Sequence, residues 1–315
     1  MAKVVLQNGL VPHAVDLHPE GLLPTVEDLE AARTRLTRVL VVAHLFGSRT
    51  PLAEIAEWCR CHDILLVEDA AQAYAGLIDP DPAADVSMFS FGLIKTATAI
   101  GGAVVCVRDA DLAERMRAAE REWPTQDLRV YRRKVRKAGH LILLGLGPVF
   151  GTCAWLARRF GIDLDRKLYD ATRGFPGDGL MKQLRQRPCA SLLANLDAAL
   201  RADIRGRVAR RSENGDRVGH ELMDRVPGMS VASRTHWVLP WIVTEREVDV
   251  RVLRDAGFDV APRSSLSVIP AAPGRDAPRI AQGLLDSLIF LPCYAGMPRS
   301  EADRMAQVLG SEGSV

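Results

Sequence analysis

Three short apolar runs lie close together between Ile64 and Arg108, and they constrain the fold more than any other part of the chain. They are Ile64–Val67, Val86–Phe91 and Ala103–Val107, each 4–6 residues long. Runs of that length and near-continuous apolarity are typical of strands buried on both faces of a sheet. With the helical segments between strands, they predict an α/β fold with a mostly parallel central sheet and helices on both faces.

Polar side chains follow these runs where the predicted strands end. Glu68 and Asp69 come directly after the first run, Ser90 lies near the end of the second, and Lys95 follows it. Ligands in open α/β sheets bind at the ends of strands, so these residues form a candidate site. Plainer explanations stay open at this point: Asp69 as a helix N-cap, and Ser90 as a buried hydroxyl bonded to the backbone.

The motifs of this region resemble a known family. They are E-D-A-A-Q-A-Y from Glu68, F-S-F-x-x-x-K from Phe89 and G-G-A from Gly101. Together they are similar to the core of the DegT/DnrJ/StrS-type sugar aminotransferases, which are pyridoxal-phosphate (PLP) enzymes of the aspartate-aminotransferase fold. The resemblance therefore implies a PLP-dependent transferase of fold type I, with a smaller α/β C-terminal domain.

Three further motifs fit the same pattern. They are N-G-L-V-P-H-A-V-D from Asn8, H-L-F-G from His44 and L-P-C-Y-A-G-M-P from Leu291. The resemblance covers most of the chain and is weakest over residues 120–190. The family's N-terminal portion, with its Gly-Thr phosphate-binding turn and an aromatic ring that stacks on the cofactor, cannot be located. We expect either a fragment or a degenerate family member, and the intact remaining cofactor residues favour the fragment.

The resemblance also implies roles for individual side chains. Asp69 pairs with the pyridine nitrogen of PLP, which keeps the ring an electron sink. Gln72 hydrogen-bonds the ring hydroxyl, and Ser90 donates to the phosphate. His44 lines the pocket near the ring, although a purely structural histidine explains the same residue equally well.

Lys95 is the strongest candidate for catalysis. It is the only charged residue between Asp85 and Arg108. By resemblance, its amine forms the Schiff base with PLP and shuttles the proton of transamination. Some relatives carry histidine at this position and are dehydratases, so the lysine favours transamination. Ile100 stands where the family often has an acid before its glycine pair.

These roles imply a PLP-dependent aminotransferase that acts on a keto-sugar, expected to be nucleotide-linked, in surface-polysaccharide or secondary-metabolite biosynthesis. Glutamate is the expected amine donor, and a homodimer is the expected assembly. The alternative is a truncated or catalytically silent homologue that acts as a binding or assembly subunit.

Composition narrows the class further. Hydrophobic residues make up 48% and charged residues 25% of 315 residues, an ordinary globular balance, and a net charge of +2 gives no case for nucleic-acid binding. Six scattered cysteines, without metal spacing or a visible signal peptide, predict free thiols and a cytoplasmic protein. We predict three parts: a partial PLP-binding domain (1–122), a helical basic and apolar insertion (123–190) and a small α/β C-terminal domain (191–315).

The segment 129–156 of the insertion has an unusual composition. Six cations lie between Arg129 and Lys137, and the apolar run Leu141–Leu156 follows them. Its 16 residues are short for a bilayer span, which takes about 20. Two interpretations remain: a buried helical hairpin or oligomer contact, and an interfacial patch that makes peripheral membrane contact.

Local patterns predict several further elements. Thr25 is a helix N-cap, with Asp28 in the first turn. The predicted strands are Lys3–Leu6, Ala14–Leu17, Val39–Ala43 and Val260–Pro262, and the predicted helices are Val26–Ala32 and Pro51–Cys61. The segment Arg173–Gly179 is a predicted loop, and its glycines are not a dinucleotide-binding motif.

Overall fold

The structure is a computed structural model, and it describes residues 2–161, 179–262, 266–271 and 274–312. The α-helices of these residues are α1 (Ala2–Gln7), α2 (Val26–Ala32), α3 (Ala53–Cys61), α4 (Ala110–Arg121), α5 (Leu128–Leu144), α6 (Gly147–Arg159), α7 (Leu180–Leu184), α8 (Ala190–Arg201), α9 (Arg205–Gly219), α10 (Arg246–Asp255), α11 (Arg279–Ser287) and α12 (Arg299–Glu312). The strands are β1 (Val39–Ala43), β2 (Ser48–Arg49), β3 (Leu65–Asp69), β4 (Val86–Ser90), β5 (Ala103–Val107), β6 (Ser233–Arg234), β7 (Leu239–Ile242) and β8 (Leu288–Leu291). A 3-10 helix covers His220–Arg225.

The central sheet has the order β1-β3-β4-β5. β1 and β3 are parallel, with Val39 opposite Leu65 and Ala43 opposite Asp69. β3 and β4 are also parallel, with Asp69 opposite Met88. These pairs confirm the predicted parallel arrangement. The predicted strands lie within two residues of the observed ones, because short apolar runs between helices leave little freedom in strand position.

Helices α2 and α3 contribute to the apolar core that contains β1 and β3. The capping box predicted for α2 is present: the Thr25 hydroxyl accepts the Asp28 N–H at 3.2 Å, and the Thr25 N–H donates to Asp28 Oδ2 at 2.9 Å. α3 buries one face, and its apolar side chains join Leu29, Val42 and Leu66 in one cluster. This cluster fixes β3, and with it the position of the polar residues at its end.

The chain divides into two compact units. Unit 1 comprises residues 1–89, 105–108 and 203–315, and unit 2 comprises residues 90–104 and 109–202. The three-domain division expected from the sequence stays a prediction.

In unit 1, early and late parts of the chain are connected by strand pairing and by the hydrogen bonds of one side chain. β2 pairs antiparallel with β6, and β7 pairs antiparallel with β8. Asp16 accepts the backbone N–H groups of Ile280 and Ala281, both at 2.8 Å. These are N–H groups of the first turn of α11, which a helix leaves unpaired. A carboxylate 264 residues earlier in the chain therefore caps this helix.

A partly buried ion-pair network lies in the C-terminal part of unit 1. Asp216 is 3.0 Å from Arg234 Nη2 and 2.8 Å from His236 Nε2. Burial alone would raise the pKa of Asp216, but the bonds and charges of His236 and Arg234 outweigh burial and lower it. His236 has a left-handed φ of 42°. A Cβ on Gly215 would lie 2.5 Å from its ring, so only glycine fits beneath the histidine.

In unit 2, α5 packs against α8 and is followed by α6. The segments Leu128–Leu144 and Val149–Ala157 meet at 90°. Among the described residues no single helix is long and apolar enough to cross a bilayer, and only these two segments taken together reach the length and apolarity of a span. A helical form was predicted for this region, and it is observed.

Three local predictions were wrong. Lys3–Leu6 belongs to helix α1, Ala14–Leu17 forms no strand, and Val260–Pro262 contributes only a single bridge, Ala261 to Phe290. Each run is apolar enough for a strand, but a strand also needs a neighbour that accepts its ladder of hydrogen bonds. Periodicity does not reveal that neighbour. Residues 173–178 of the predicted loop lie outside the described residues.

Candidate active site

Asp69 is the last residue of β3, at the carboxyl end of the parallel sheet. Its neighbours in the sheet are Ala43 and Met88. Its Oδ1 accepts the Ala71 N–H at 3.0 Å, so the carboxylate also closes the turn that follows the strand. The plainer prediction was a helix N-cap, but the described residues after Asp69 form a turn and no helix, so one oxygen of Asp69 caps a turn. Asp69 is only partly buried, which leaves it accessible to a ligand.

Gln72 is held in one orientation by the backbone of the loop after β1. Its Oε1 accepts the Phe46 N–H at 2.7 Å. Phe46 has a left-handed φ of 59° and is followed by Gly47, whose φ is 93°. Because the amide oxygen is engaged, the other end of this side chain is an –NH₂ group, which can only donate. A donor suits a phenolic oxygen, the group that the resemblance assigned to Gln72.

His44 points away from solvent and contacts Glu68. The side chain is buried, and its Nε2 lies 3.0 Å from Glu68 Oε1. This contact favours the structural role that the sequence left open, because it engages one ring nitrogen with an internal partner. The cofactor role of His44 stays a prediction.

Glu68 is the centre of a buried network that sequence reasoning did not find. It is 0% exposed. Besides His44, it accepts Arg49 Nη2 at 3.2 Å and the Asp81 N–H at 2.9 Å, and it is hydrogen-bonded by Ser87. Burial alone would raise its pKa, but these hydrogen bonds and the Arg49 charge outweigh burial and lower the pKa of Glu68 to about 2. The network ties β1, β3 and β4 together next to Asp69.

A signal for this network is present in the sequence. Residues alternate faces along a strand, so Glu68 shares the face of Leu66, which is buried. A charge in that position needs ionic and hydrogen-bond partners. Its partners come from 13 to 24 residues away, so their identity depends on the fold.

Ser90 and Lys95 flank a glycine in unit 2. A Cβ built on Gly92 would lie 3.9 Å from Ser90 Oγ and 3.8 Å from Lys95 Cγ. The hydroxyl and the lysine stem therefore border the same small space, which the missing side chain leaves open. Both side chains are partly exposed. The Lys95 N–H donates to Gly92 O at 3.1 Å, so the lysine sits in a tight turn after β4.

The loop that carries Lys95 is closed by backbone hydrogen bonds to Phe91, which is fully buried. The Phe91 N–H donates to Gly102 O at 3.0 Å, and Phe91 O accepts the N–H groups of Ala99 and Gly101 at 2.9 and 3.0 Å. Ile100 has a left-handed φ of 64°. A β-branched residue in that region is strained, at a cost of about 1–3 kcal/mol. Such strain is commonly stored at functional sites.

Tyr131 holds this loop from α5. Its hydroxyl donates to Ala99 O at 2.7 Å and accepts from Asn195 Nδ2 on α8, also at 2.7 Å. The side chain is 1% exposed. A tyrosine and an asparagine therefore anchor the lysine loop to two helices of the same unit. Sequence reasoning missed both residues, because neither lies in a recognisable motif.

The described residues hold no cluster of three or more His, Cys, Asp or Glu that would bind a metal ion. The chemistry at the two loops is instead that of a carboxylate, an amide donor, a hydroxyl and an amine.

Comparison with known proteins finds a family match over the first part of the chain. Residues 1–139 match the DegT/DnrJ/EryC1/StrS aminotransferase family. These 139 residues are less than half of the 315-residue chain, so the match is a similarity to that family over this segment. The matched segment includes each residue predicted to bind the cofactor. Similar proteins are also found among curated proteins and solved structures.

One curated relative is the L-glutamine:2-deoxy-scyllo-inosose aminotransferase of Streptomyces kanamyceticus. It is 30% identical over 154 residues, which are 48% of this chain and 35% of the relative. Another, the UDP-N-acetyl-3-dehydro-alpha-D-glucosamine 3-aminotransferase of Acidithiobacillus ferrooxidans, is 27% identical over 55% of this chain and 51% of its own length. The chain thus matches about a third to a half of the length of these curated relatives.

The solved structures extend the likeness to nearly the full chain. The aminotransferase TlmJ from Streptoalloteichus hindustanus has a TM-score of 0.65 and 20% identity, over 98% of this chain and 75% of TlmJ. At that identity the likeness shows the fold alone. It confirms the predicted α/β fold.

Proposed function

We propose that this protein is a PLP-dependent aminotransferase that acts on a keto-sugar, with a nucleotide-linked sugar as the expected substrate. One observation carries the proposal: Asp69, Gln72, Ser90 and Lys95 all lie in the segment 1–139 that matches the aminotransferase family. The named activities of the curated relatives, which are sugar or cyclitol aminotransferases, support the same class.

The donor set fits PLP. When bound, PLP supplies a carbonyl carbon and an electron-withdrawing ring. The Asp69 carboxylate would accept the ring N–H, the –NH₂ of Gln72 would donate to the phenolic oxygen, and the Ser90 hydroxyl would donate to the phosphate. The space beside Gly92, bordered by Ser90 and Lys95, leaves room for a ligand. A larger side chain at position 92 would narrow that space.

Lys95 carries the proton chemistry of the proposal. Its amine would take a proton from the α-carbon of the amine donor and return one to the sugar carbon. The amino group thereby leaves the donor, which becomes a 2-oxo acid, and ends on the former carbonyl carbon of the sugar. We propose glutamate as the donor. Glutamine is tested beside it, because one relative's name specifies L-glutamine.

Cofactor binding is the first test. Purified protein is incubated with PLP, dialysed, and measured for retained PLP and visible absorbance. We expect retained PLP and a visible band in the wild type, loss of the band in Lys95→Ala, and no change in Lys182→Ala, which removes an exposed lysine of the same unit. If wild-type protein retains no PLP, the assignment as an aminotransferase is wrong, and a catalytically silent binding subunit explains the chain better.

Asp69→Asn tests the ring partner. The variant keeps the size of the side chain and removes its charge, so we expect transamination to fall by orders of magnitude while thermal unfolding stays nearly unchanged. Formation of the 2-oxo acid from glutamate or glutamine measures the rate. Wild-type turnover in this variant would refute the assignment of Asp69.

Assembly and location complete the proposal. We propose a cytoplasmic homodimer. The family resemblance implies the dimer, and six free cysteines in the described residues support a reducing compartment. Light scattering of PLP-loaded protein measures the mass. A monomer with bound, reactive PLP would contradict the dimer.

A further inference from the structure

Residues 128–160, here called the elbow, comprise α5, α6 and the bend between them. They hold eight Lys and Arg and no Asp or Glu. The full chain has a net charge of +2, so the other residues together carry −6. This helical segment of unit 2 therefore carries an excess of positive charge, whereas the rest of the chain is net negative.

The cations of α5 form one stripe. Five of them, with His140, follow the 3-4 spacing of a single helix face, and all of these are exposed: Arg129, Arg132, Arg133, Arg136, Lys137 and His140. Among the described residues, no carboxylate forms an ion pair with the Lys and Arg of this stripe. The opposite face contains Tyr131 and Ala138, which are buried in unit 2. α5 is thus anchored along one face and presents its charge along the other.

The apolar side chains of the elbow extend beyond that anchoring. Ile142, on the same face as Tyr131 and Ala138, is 71% exposed, and Trp155 and Phe160 on and after α6 are 65% and 70% exposed. Of the 27 large apolar side chains exposed in the described residues, eleven lie in the elbow. Exposed apolar residues this concentrated mark an interaction surface and not an ordinary protein surface.

We propose that the elbow binds an anionic lipid surface, with the α5 stripe at the level of the headgroups and the apolar bend inserted among the acyl chains. Charge complementarity selects this occupant. Eight cations without an acid repel a second copy of the same segment, whereas an anionic bilayer attracts them and also receives apolar side chains. The 90° bend allows α5 to lie along the surface while α6 turns away from its direction.

Vesicle binding of the full chain tests the proposal. Co-sedimentation is measured with vesicles of phosphatidylcholine alone and of phosphatidylcholine with phosphatidylserine, at low and high salt. We expect binding to the anionic vesicles at low salt and release at high salt, because screening weakens surface charge interactions. Vesicles with brominated acyl chains should quench Trp155 fluorescence, and Trp155→Phe should remove that quenching.

Matched variants separate the charge from the apolar surface. Arg132→Gln, Arg133→Gln and Arg136→Gln together should weaken binding about a hundredfold, since each cation near an anionic surface contributes about fivefold. The control removes the same charge from α4 of the same unit: Arg115→Gln, Arg117→Gln and Arg121→Gln should change binding little.

Three results would overturn the proposal. One is wild-type protein that stays in the supernatant with both vesicle types. The second is equal binding to neutral and anionic vesicles, unaffected by the α5 substitutions. The third is a dimer that Ile142→Ser and Trp155→Ser convert to a monomer in the absence of any vesicle binding, which would identify a second copy of the chain as the occupant.

Discussion

Replacement of Glu68 by glutamine should make the stability of this protein less dependent on pH. Glutamine keeps the shape of the side chain, but one of its two acceptor oxygens becomes an –NH₂ donor. That donor would face Arg49, His44 or the Asp81 N–H, which donate to the carboxylate at 2.9–3.2 Å. The variant therefore loses a charge and also sets two donors against each other inside the protein.

The lowered pKa sets the size of the effect. A pKa that falls from 4.5 in the unfolded chain to about 2 in the folded protein corresponds to roughly 3 kcal/mol of stability. Because the folded-state pKa is depressed, this contribution is fully present above pH 4.5 and is lost as the pH falls toward 2. It should shrink by roughly 1 kcal/mol at pH 4 and 2 kcal/mol at pH 3.

Urea unfolding at pH 7, 4 and 3 measures the difference between wild type and Glu68→Gln. We expect the wild type to be more stable by about 3 kcal/mol at pH 7 and by progressively less at lower pH. Glu54→Gln, on the exposed surface of α3, is the control, and it should change stability by less than about 0.5 kcal/mol. A difference that is the same at all three pH values would refute the role of the Glu68 charge.

Three further substitutions probe other contacts. Tyr131→Phe should lower the free energy of unfolding by about 2–3 kcal/mol, since it leaves a buried carbonyl and a partly buried amide without their hydroxyl partner. Urea unfolding measures this loss, and an unchanged midpoint would refute the stabilising role of the Tyr131 hydroxyl. Gly215→Ala should destabilise by about 1–3 kcal/mol through its clash with the His236 ring, whereas Gly206→Ala, with open space in the same helix, should not; equal thermal midpoints would contradict this packing. Thr25→Ala should lower the free energy of unfolding by about 1 kcal/mol, because it removes the N-cap of α2. Thr25→Ser keeps a capping hydroxyl and should retain most of that stability in urea unfolding.

Elements fixed by neighbouring residues were the ones that could be predicted from sequence. Helix α2 has its cap, its acidic first turn and its apolar positions within eight residues, and the predicted bounds match the observed ones. The apolar runs of β1, β3, β4 and β5 likewise needed no distant information. Lys3–Leu6 failed because its apolar residues fit either a strand or a helix, and only a strand partner would have decided the matter.

The candidate site shows the same division. Asp69, Gln72, Ser90 and Lys95 could be predicted because they lie in motifs of consecutive residues. The groups that hold them come from elsewhere in the chain. The hydroxyl of Tyr131 bonds a carbonyl 32 residues away, and its partner Asn195 is 64 residues further on. Such contacts depend on how the helices pack, which spacing along the chain does not determine.

The carboxylate of Asp16 has a consequence for the order in which this protein is made. It caps α11 by accepting the N–H groups of Ile280 and Ala281. On a translating ribosome, the first part of unit 1 emerges long before that helix exists. β2 stays without its partner β6 until residues 233–234 have left the exit tunnel, and Asp16 stays without α11 until residues 280 and 281 follow. Unit 2 lies between residues 90 and 202, interrupted only by residues 105–108 of unit 1, so all of it is synthesised before α11. We therefore expect unit 2 to be able to fold before the contacts that complete unit 1 can form.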